Sequence, residues 1–306
     1  MKMIKVYKYI KEFKLYIYIM KILYINYGTH QKNNNALLNY KNINFTVINH
    51  TNIDFIDLTK FDCVFSPSQP IDVRKYPNTK FIFGPHFSVF PQIEQMNIIQ
   101  GNNSTYIQPS EWVVDLWKSF SICQNIKIKS LPFGVDTLKF NENKPVNERS
   151  KVFLYFKRRH PNELNFLINF LNKHNINVRI FDYINRYDET DYLNYLQNSK
   201  YGIMLDAHES QGFALQEVLS CNVPLLVWNV TTLNQEHGSN YPGVPATTIS
   251  YWDDRCGEYF TDVSQLETTF NKFITNLSEY KPREFILENL SIEKCEEKFI
   301  NLVKSI

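Results

Sequence analysis

Glycine is scarce in this sequence, with nine among 306 residues. That excludes a collagen-like repeat or a glycine-rich linker protein, and it makes each remaining glycine informative. Gly28, Gly84, Gly134 and Gly212 each follow an apolar run, where a strand would turn into a loop. Cysteine is also sparse: Cys63, Cys123, Cys221, Cys256 and Cys295 are scattered, odd in number and form no CxxC pair. This excludes a disulfide-stapled scaffold and a structural zinc site, and it predicts reduced thiols in a cytosol-like compartment. Net positive charge is lacking outside the N-terminus. Five lysines against Glu12 give residues 1–19 a charge of +4, and with +2 for the whole chain the remainder carries −2. A slightly acidic body has no phosphate-tracking surface, which argues against a nucleic acid partner. Long apolar runs are missing too. Lys14 and Lys21 interrupt the hydrophobic N-terminus, no small-residue cleavage site follows, and no stretch reaches the ~18 residues that span a bilayer. The expectation is a soluble, cytoplasmic protein, with weak membrane-surface contact open only to the basic extension 1–19.

What is present is ordinary globular material, 43% apolar and 21% charged. MKILYIN at 20–26 reads as a first buried parallel strand, ending just before Gly28. Further strands are expected at 44–49, 62–66, 80–84, 106–109 and 126–131. A helix is expected over 110–120, with Ser110 as its N-cap and Val113, Leu116, Trp117 and Phe120 on one face. NENKPVNERS at 141–150 is polar, proline-bearing and aperiodic, as an interdomain linker would be. The alternation then restarts, with strands at 151–156, 177–181, 201–205 and 223–228 and helices at 161–174, 188–199 and 213–221. Helices near 263–279 and 283–304 close the chain. Apolar strands alternating with amphipathic helices mean parallel, doubly wound sheets, here twice over with a cleft between them.

The segment YGIMLDAHESQGFALQEVLSCNVPLLVWN at 201–229 carries the most chemistry. A buried strand ends near Leu205, and a polar loop leads through Gly212 into a helix at Phe213. Open parallel sheets bind ligands at the carboxyl ends of their strands, so this loop faces the cleft. The amides of Gly212, Phe213 and Ala214 are unpaired donors at a helix start, suited to phosphate or hydroxyl oxygens. Glu209 and Glu217 can accept hydrogen bonds from sugar or ribose hydroxyls. Taken singly, each would read as a solvated loop or surface-helix residue.

The pattern as a whole resembles the E-x7-E signature of retaining GT-B glycosyltransferases, family 4 in particular. Glu209-Ser210-Gln211-Gly212 stands where that family has Glu-Ser-Phe-Gly, and Ser220-Cys221-Asn222-Val223-Pro224 where it has Ala-x-Gly-x-Pro. LPFGVDTLKF at 131–140 is similar to its Pro-x-Gly-Val-Asp-x-x-x-Phe run, which includes Gly134 and lines the cleft. FGPH at 83–86 puts His86 either at the family's cleft histidine or in a merely structural loop. FKRRH at 156–160 offers Lys157, Arg158 and Arg159 for the donor diphosphate, one of them a solvated charge. Gly28 occupies the glycine-loop position, although the double glycine is absent.

The resemblance implies a compact GT-B protein with room for the C-terminal helices to cross back to the N-terminal domain. Its domains would be a basic extension at 1–19, an acceptor-side Rossmann-like domain at 20–145, a donor-side one at 146–285 and a C-terminal helix at 286–306. It implies retaining, metal-independent transfer of a sugar from a UDP- or GDP-linked nucleotide-diphospho-sugar to a glycan, lipid or protein-linked acceptor. No further cofactor is implied. Glu209, His86, Lys157 and Arg158 would be catalytic, while Glu217, Gly212, Phe213, Ala214, Arg159, Gly134 and Gly28 would hold the donor, Glu217 through its ribose. The sequence has no Asp-x-Asp, HExxH, Walker loop or Gly-x-Ser-x-Gly elbow, and His208 has no second histidine at metal-ligand spacing. Trp112 and Trp117 read as packing residues. The rival from another class is a non-catalytic carbohydrate- or nucleotide-binding protein on a degenerate GT-B shell.

Overall fold

A computed structural model describes residues 19–185 and 187–306. The extension expected at 1–19 lies outside these residues, apart from Ile19. The first sheet takes its strands from Met20–Ile25 (β1), Ile43–Ile48 (β2), Cys63–Ser66 (β3), Phe81–Phe83 (β4), Ser104–Gln108 (β5) and Ile128–Ser130 (β6). All pairings are parallel and the order is β2-β1-β3-β4-β5-β6. Every residue of β3 and β4 is buried, because a parallel sheet is covered on both faces. Helices α1 (Gln31–Leu38), α2 (Ile93–Ile99) and α3 (Glu111–Lys118) lie in the crossovers.

The second sheet comprises Lys151–Lys157 (β7), Arg179–Asp182 (β8), Ser199–Asp206 (β9), Leu225–Trp228 (β10) and Gly257–Phe260 (β11), ordered β11-β10-β9-β7-β8. Its helices are α4 (Pro161–Lys173), α5 (Glu189–Leu196), α6 (Phe213–Ser220) and α7 (Leu266–Thr275). In both sheets the order reverses beside the first strand, between β1 and β3 and between β7 and β9. That reversal opens a crevice at the strands' carboxyl ends, where doubly wound folds bind ligands.

The structure departs from the sequence reading in several places. The helix expected over 283–304 is two helices, α8 (Pro282–Asn289) and α9 (Ile292–Ser305), separated where the Ser291 side chain accepts a hydrogen bond from the Lys294 amide and caps α9. Ser110 occupies the N-cap position of α3 without capping through its side chain, and its buried hydroxyl has no partner among the described residues. The linker is tied down: the buried Arg149 guanidinium donates to the carbonyls of Lys144 and Cys221, each at 2.9 Å.

Helix α9 returns to the first domain. Cys295, Phe299, Leu302 and Val303 recur at helical spacing and join Ile22, Tyr24 and Phe65 in one core, with the Phe299 and Phe65 rings 5.5 Å apart. Gly134 makes this return possible. A Cβ there would lie 2.4 Å from the Ile292 Cα and 2.7 Å from its amide nitrogen, so only glycine lets the two backbones meet. All five cysteines are free and buried. Among the described residues no helix is long and apolar enough to cross a membrane.

Candidate functional site

The two crevices face one another and enclose a cavity of about 510 Å³. On the second-domain side it is lined by residues 209–212 of the loop that starts at Asp206. β9 delivers this loop from the buried sheet, and α6 takes over at Phe213. Gly212 sits at φ +70° and ψ +45° as the N-cap of α6, a left-handed conformation that glycine adopts freely. Its turn leaves Gly212, Phe213 and Ala214 lining the cavity.

Lys157 is the last residue of β7 and projects into the cavity, where its ammonium contacts the Glu209 carboxylate and lies 3.8 Å from Asp206 Oδ2. Burial pulls the ammonium's pKa down, but the neighbouring Asp206 and Glu209 outweigh it and the net direction is up. Lys157 is therefore held charged. Asp206, which the motif reading passed over, is fully buried, and its Oδ2 has no hydrogen-bond partner among the described residues. Burial, with Glu209 beside it, raises its carboxyl well above the usual range.

The first domain supplies the opposite wall through His30, Lys32, Asn33 and His86. His86 does face the cavity. Its Nε2 is 3.0 Å from Asn33 Nδ2; an amide group there donates, which places the ring proton on Nδ1. Burial, reinforced by His30, lowers the imidazole to about 4, so the ring is neutral near pH 7. Lys32 was not singled out in the sequence because QKNNNALL carries no apolar period. His30 caps this helix by accepting from the Lys32 amide. The Lys32 ammonium reaches across to Glu217 Oε1 at 2.6 Å. Glu217 is buried rather than a surface-helix residue, and burial raises its carboxyl against the opposing pull of Lys32. It lines an adjoining cavity of about 640 Å³ together with Gly134.

The basic run divides three ways. Arg158 adopts φ +53°, which breaks the strand direction, and its guanidinium meets Glu236 at 3.2 Å without lining the cavity. Arg159 is buried, clamped on Glu163 at 2.6 Å and on the carbonyls of Asp206 and Trp228. It ties the loop from beneath and does not line the cavity. Gly28 likewise does not line the cavity. Tyr155, Tyr183 and Tyr187 form an aromatic side wall, with the half-exposed Tyr183 ring 5.0 Å from the Lys157 ammonium. Among the described residues no group of three or more histidine, cysteine, aspartate or glutamate side chains is arranged to hold a metal ion.

No protein-family model matches the chain, and no curated protein matches it in sequence. Solved structures do match. The apo form of the lipopolysaccharide outer core galactosyltransferase WaaB superposes with a TM-score of 0.56 at 13% identity, over 94% of this chain and 99% of that one. AviGT4, a glycosyltransferase involved in avilamycin A biosynthesis, gives 0.53 at 11% identity, over 93% and 97%. At identities this low the likeness concerns the fold alone, and that fold is GT-B: two Rossmann-like α/β domains facing a central cleft.

Proposed function

We propose that this protein is a retaining, metal-independent glycosyltransferase that moves a sugar from a nucleotide-diphospho-sugar to a glycan, lipid or protein-linked acceptor. The observation that carries the reading is the convergence of Lys157, Glu209 and the start of α6 on one cavity, opposite His86, where the two sheets' switch points face each other. The two structural neighbours, both glycosyltransferases on this fold, agree with it.

In this reading the diphosphate lies between the Lys157 ammonium and the amides of Gly212, Phe213 and Ala214. These are preorganised donors aimed at charge that grows as the glycosidic bond breaks. Glu209 holds the migrating sugar, and its contact with Lys157 keeps the carboxylate in place before donor arrives. Glu217 holds the ribose, and the Tyr183 face offers the base an apolar wall. His86, neutral and bonded through Nε2 to the Asn33 amide, shapes the first-domain wall against which donor or acceptor packs. The acceptor enters from the first-domain side, and attack and departure share one face.

A second reading, a binding protein on a GT-B shell, draws support from one observation. Arg158 and Arg159, two of the three basic groups expected at the diphosphate, are engaged elsewhere. A panel of UDP- and GDP-sugars decides between them. Slow donor hydrolysis, or transfer, that persists in excess chelator is the expected result. Binding without turnover favours the second reading. Turnover abolished by chelator and restored by Mg²⁺ or Mn²⁺ overturns the metal-independent mechanism.

A further inference from the structure

The loop that carries Glu209 belongs to the second domain by sequence but is held from the first. Trp112, on α3 of the first domain, donates its indole N–H to the Glu209 carbonyl at 3.0 Å, across 97 residues of chain. The same nitrogen lies 3.1 Å from Ser250 Oγ, and Ser250 also donates to the Glu209 carbonyl. On the other side of the residue, the Glu209 amide donates to the Thr247 carbonyl at 3.0 Å. Two residues on, the Gln211 side chain brackets Phe133 of the first domain. It accepts from the Phe133 amide at 3.1 Å and donates to the Phe133 carbonyl at 2.8 Å. The Trp112 ring packs against the buried cluster of Val230, Leu233 and Ala246, so the indole is fixed by apolar contacts from the opposite domain.

We propose that Trp112 is a positioning residue: its cross-domain hydrogen bond makes closure of the cleft and placement of the Glu209 carboxylate a single event. A carbonyl gripped by a rigid indole fixes the peptide plane at 209, and with it the direction in which the side chain leaves the backbone. If the domains part, the bond breaks and the loop falls back on its own-domain contacts. Glu209 is then aligned only when the acceptor-side wall is in place, which withholds the reactive geometry from a donor bound to an open cleft. The inference rests on the reading of Glu209 as the group that holds the donor sugar, but its structural half stands without it.

The test is Trp112→Phe in the full chain, which removes the N–H while retaining most of the apolar ring. Hydrogen exchange in the absence of any ligand reads the Glu209 amide directly. The Glu209 amide keeps its own bond to the Thr247 carbonyl, so the expected result is about 3- to 10-fold faster exchange there through local opening of a loop that has lost the bond at its 209 carbonyl, with the sheet amides unchanged. In turnover of whichever sugar nucleotide the wild type accepts, kcat is expected to fall by a similar factor while donor KM stays within about 2-fold. If exchange at Glu209 and kcat both match wild type, the proposal is overturned. A rise in donor KM with kcat unchanged also overturns it, because the loop would then serve binding alone. Should Trp112→Phe fail to fold, Gln211→Leu cuts the neighbouring tie. The same exchange and kcat outcomes are required of it, and their absence counts equally against the proposal. If the wild type turns over no sugar nucleotide, the functional reading fails, whereas faster exchange in the variant still supports the cross-domain tie.

Discussion

Lys32 and Glu217 meet across the cleft from opposite domains: an ammonium on α1 lies 2.6 Å from a carboxylate oxygen on α6, 185 positions along the chain. The Glu217 side chain is 7% exposed and that of Lys32 37%. The carboxylate has little water to fall back on, while the lysine keeps part of its hydration.

Lys32→Met is therefore expected to destabilise the protein in a pH-dependent way. Breaking a fully buried pair costs about 3–5 kcal/mol; the partial exposure of Lys32 brings this down to about 1–2 kcal/mol near neutral pH. Burial raises the Glu217 carboxyl in the folded state, so its contribution to stability is full in acid and declines as pH rises through the folded value. Lys32 opposes that rise, and its removal steepens the decline. Thermal unfolding of wild type and variant between about pH 5 and 8 should show a Tm deficit that widens with pH. A deficit that is flat, or that narrows, contradicts the ion pair.

The two glutamates should fail differently when changed to glutamine. A ribose held by Glu217 changes little during reaction, so Glu217→Gln removes binding felt equally in ground and transition states and raises donor KM by ~10-fold or more. Glu209 faces a sugar whose ring gains positive charge as the bond to diphosphate breaks, so Glu209→Gln should lower kcat by ~10-fold or more. Steady-state kinetics separate the cases, and two variants that turn over like the parent would remove the E-x7-E reading altogether.

Much of the fold was legible because parallel strands buried on both faces read as unbroken apolar runs. Among the described residues, ten of the eleven strands lie within a few residues of the expected ones, most plainly the apolar, buried β1, β3, β4, β7, β9 and β10. The exception, β11, is an edge strand of the sequence GEYF, too short and mixed to carry a period. Helix α1 escaped notice for a related reason: QKNNNALL has poor helix formers, and His30 capping with three buried side chains holds it. The site was legible where a backbone turn dictates the residue, as at Gly212, and illegible where only tertiary contact decides. Nothing in Lys-Arg-Arg reveals that Lys157 ends a strand inside the cleft, that Arg158 turns out and that Arg159 runs beneath the loop. Asp206 and Lys32 were missed because their importance lies in a partner across a crossover or across the cleft.

His86 should titrate near pH 4. Burial is the larger cause and the nearby His30 the smaller, and both disfavour the imidazolium. A base whose folded pKa is depressed contributes stability that is full above its unfolded value of about 6.5 and is lost as pH falls toward the folded one. Proton NMR of the ring, assigned by comparison with His86→Asn, gives the midpoint. The variant's Tm should fall less steeply than the wild type's between about pH 6.5 and 4. A midpoint near 6.5 would mean that the ring is solvated and is not the neutral cleft group described.

Gly134→Ala and Gly212→Ala should separate two uses of glycine. At Gly134 an added Cβ meets the α9 backbone, with Ile292 Cα at 2.4 Å and Ile292 N at 2.7 Å, and neither atom can swing aside as a side-chain tip would. The N-terminus of α9 must shift, which costs about 1–3 kcal/mol for overpacking and lowers Tm by several degrees. At Gly212 the nearest atom is Glu209 Cβ at 3.6 Å, an ordinary contact, so space is free and the cost is the left-handed φ of +70°, about 1 kcal/mol. The stability ranking is thus Gly134→Ala below Gly212→Ala below wild type. The ranking in activity should invert, because Gly212 shapes the turn that presents the α6 amides and Glu209, whereas Gly134 touches the site only through the adjoining cavity. Thermal unfolding together with kcat for the same two proteins checks both orders. If Gly134→Ala proves the more active-site-damaging and Gly212→Ala the less stable, α9 is not seated on Gly134 as described, and the turn at 212 is not what aims the loop.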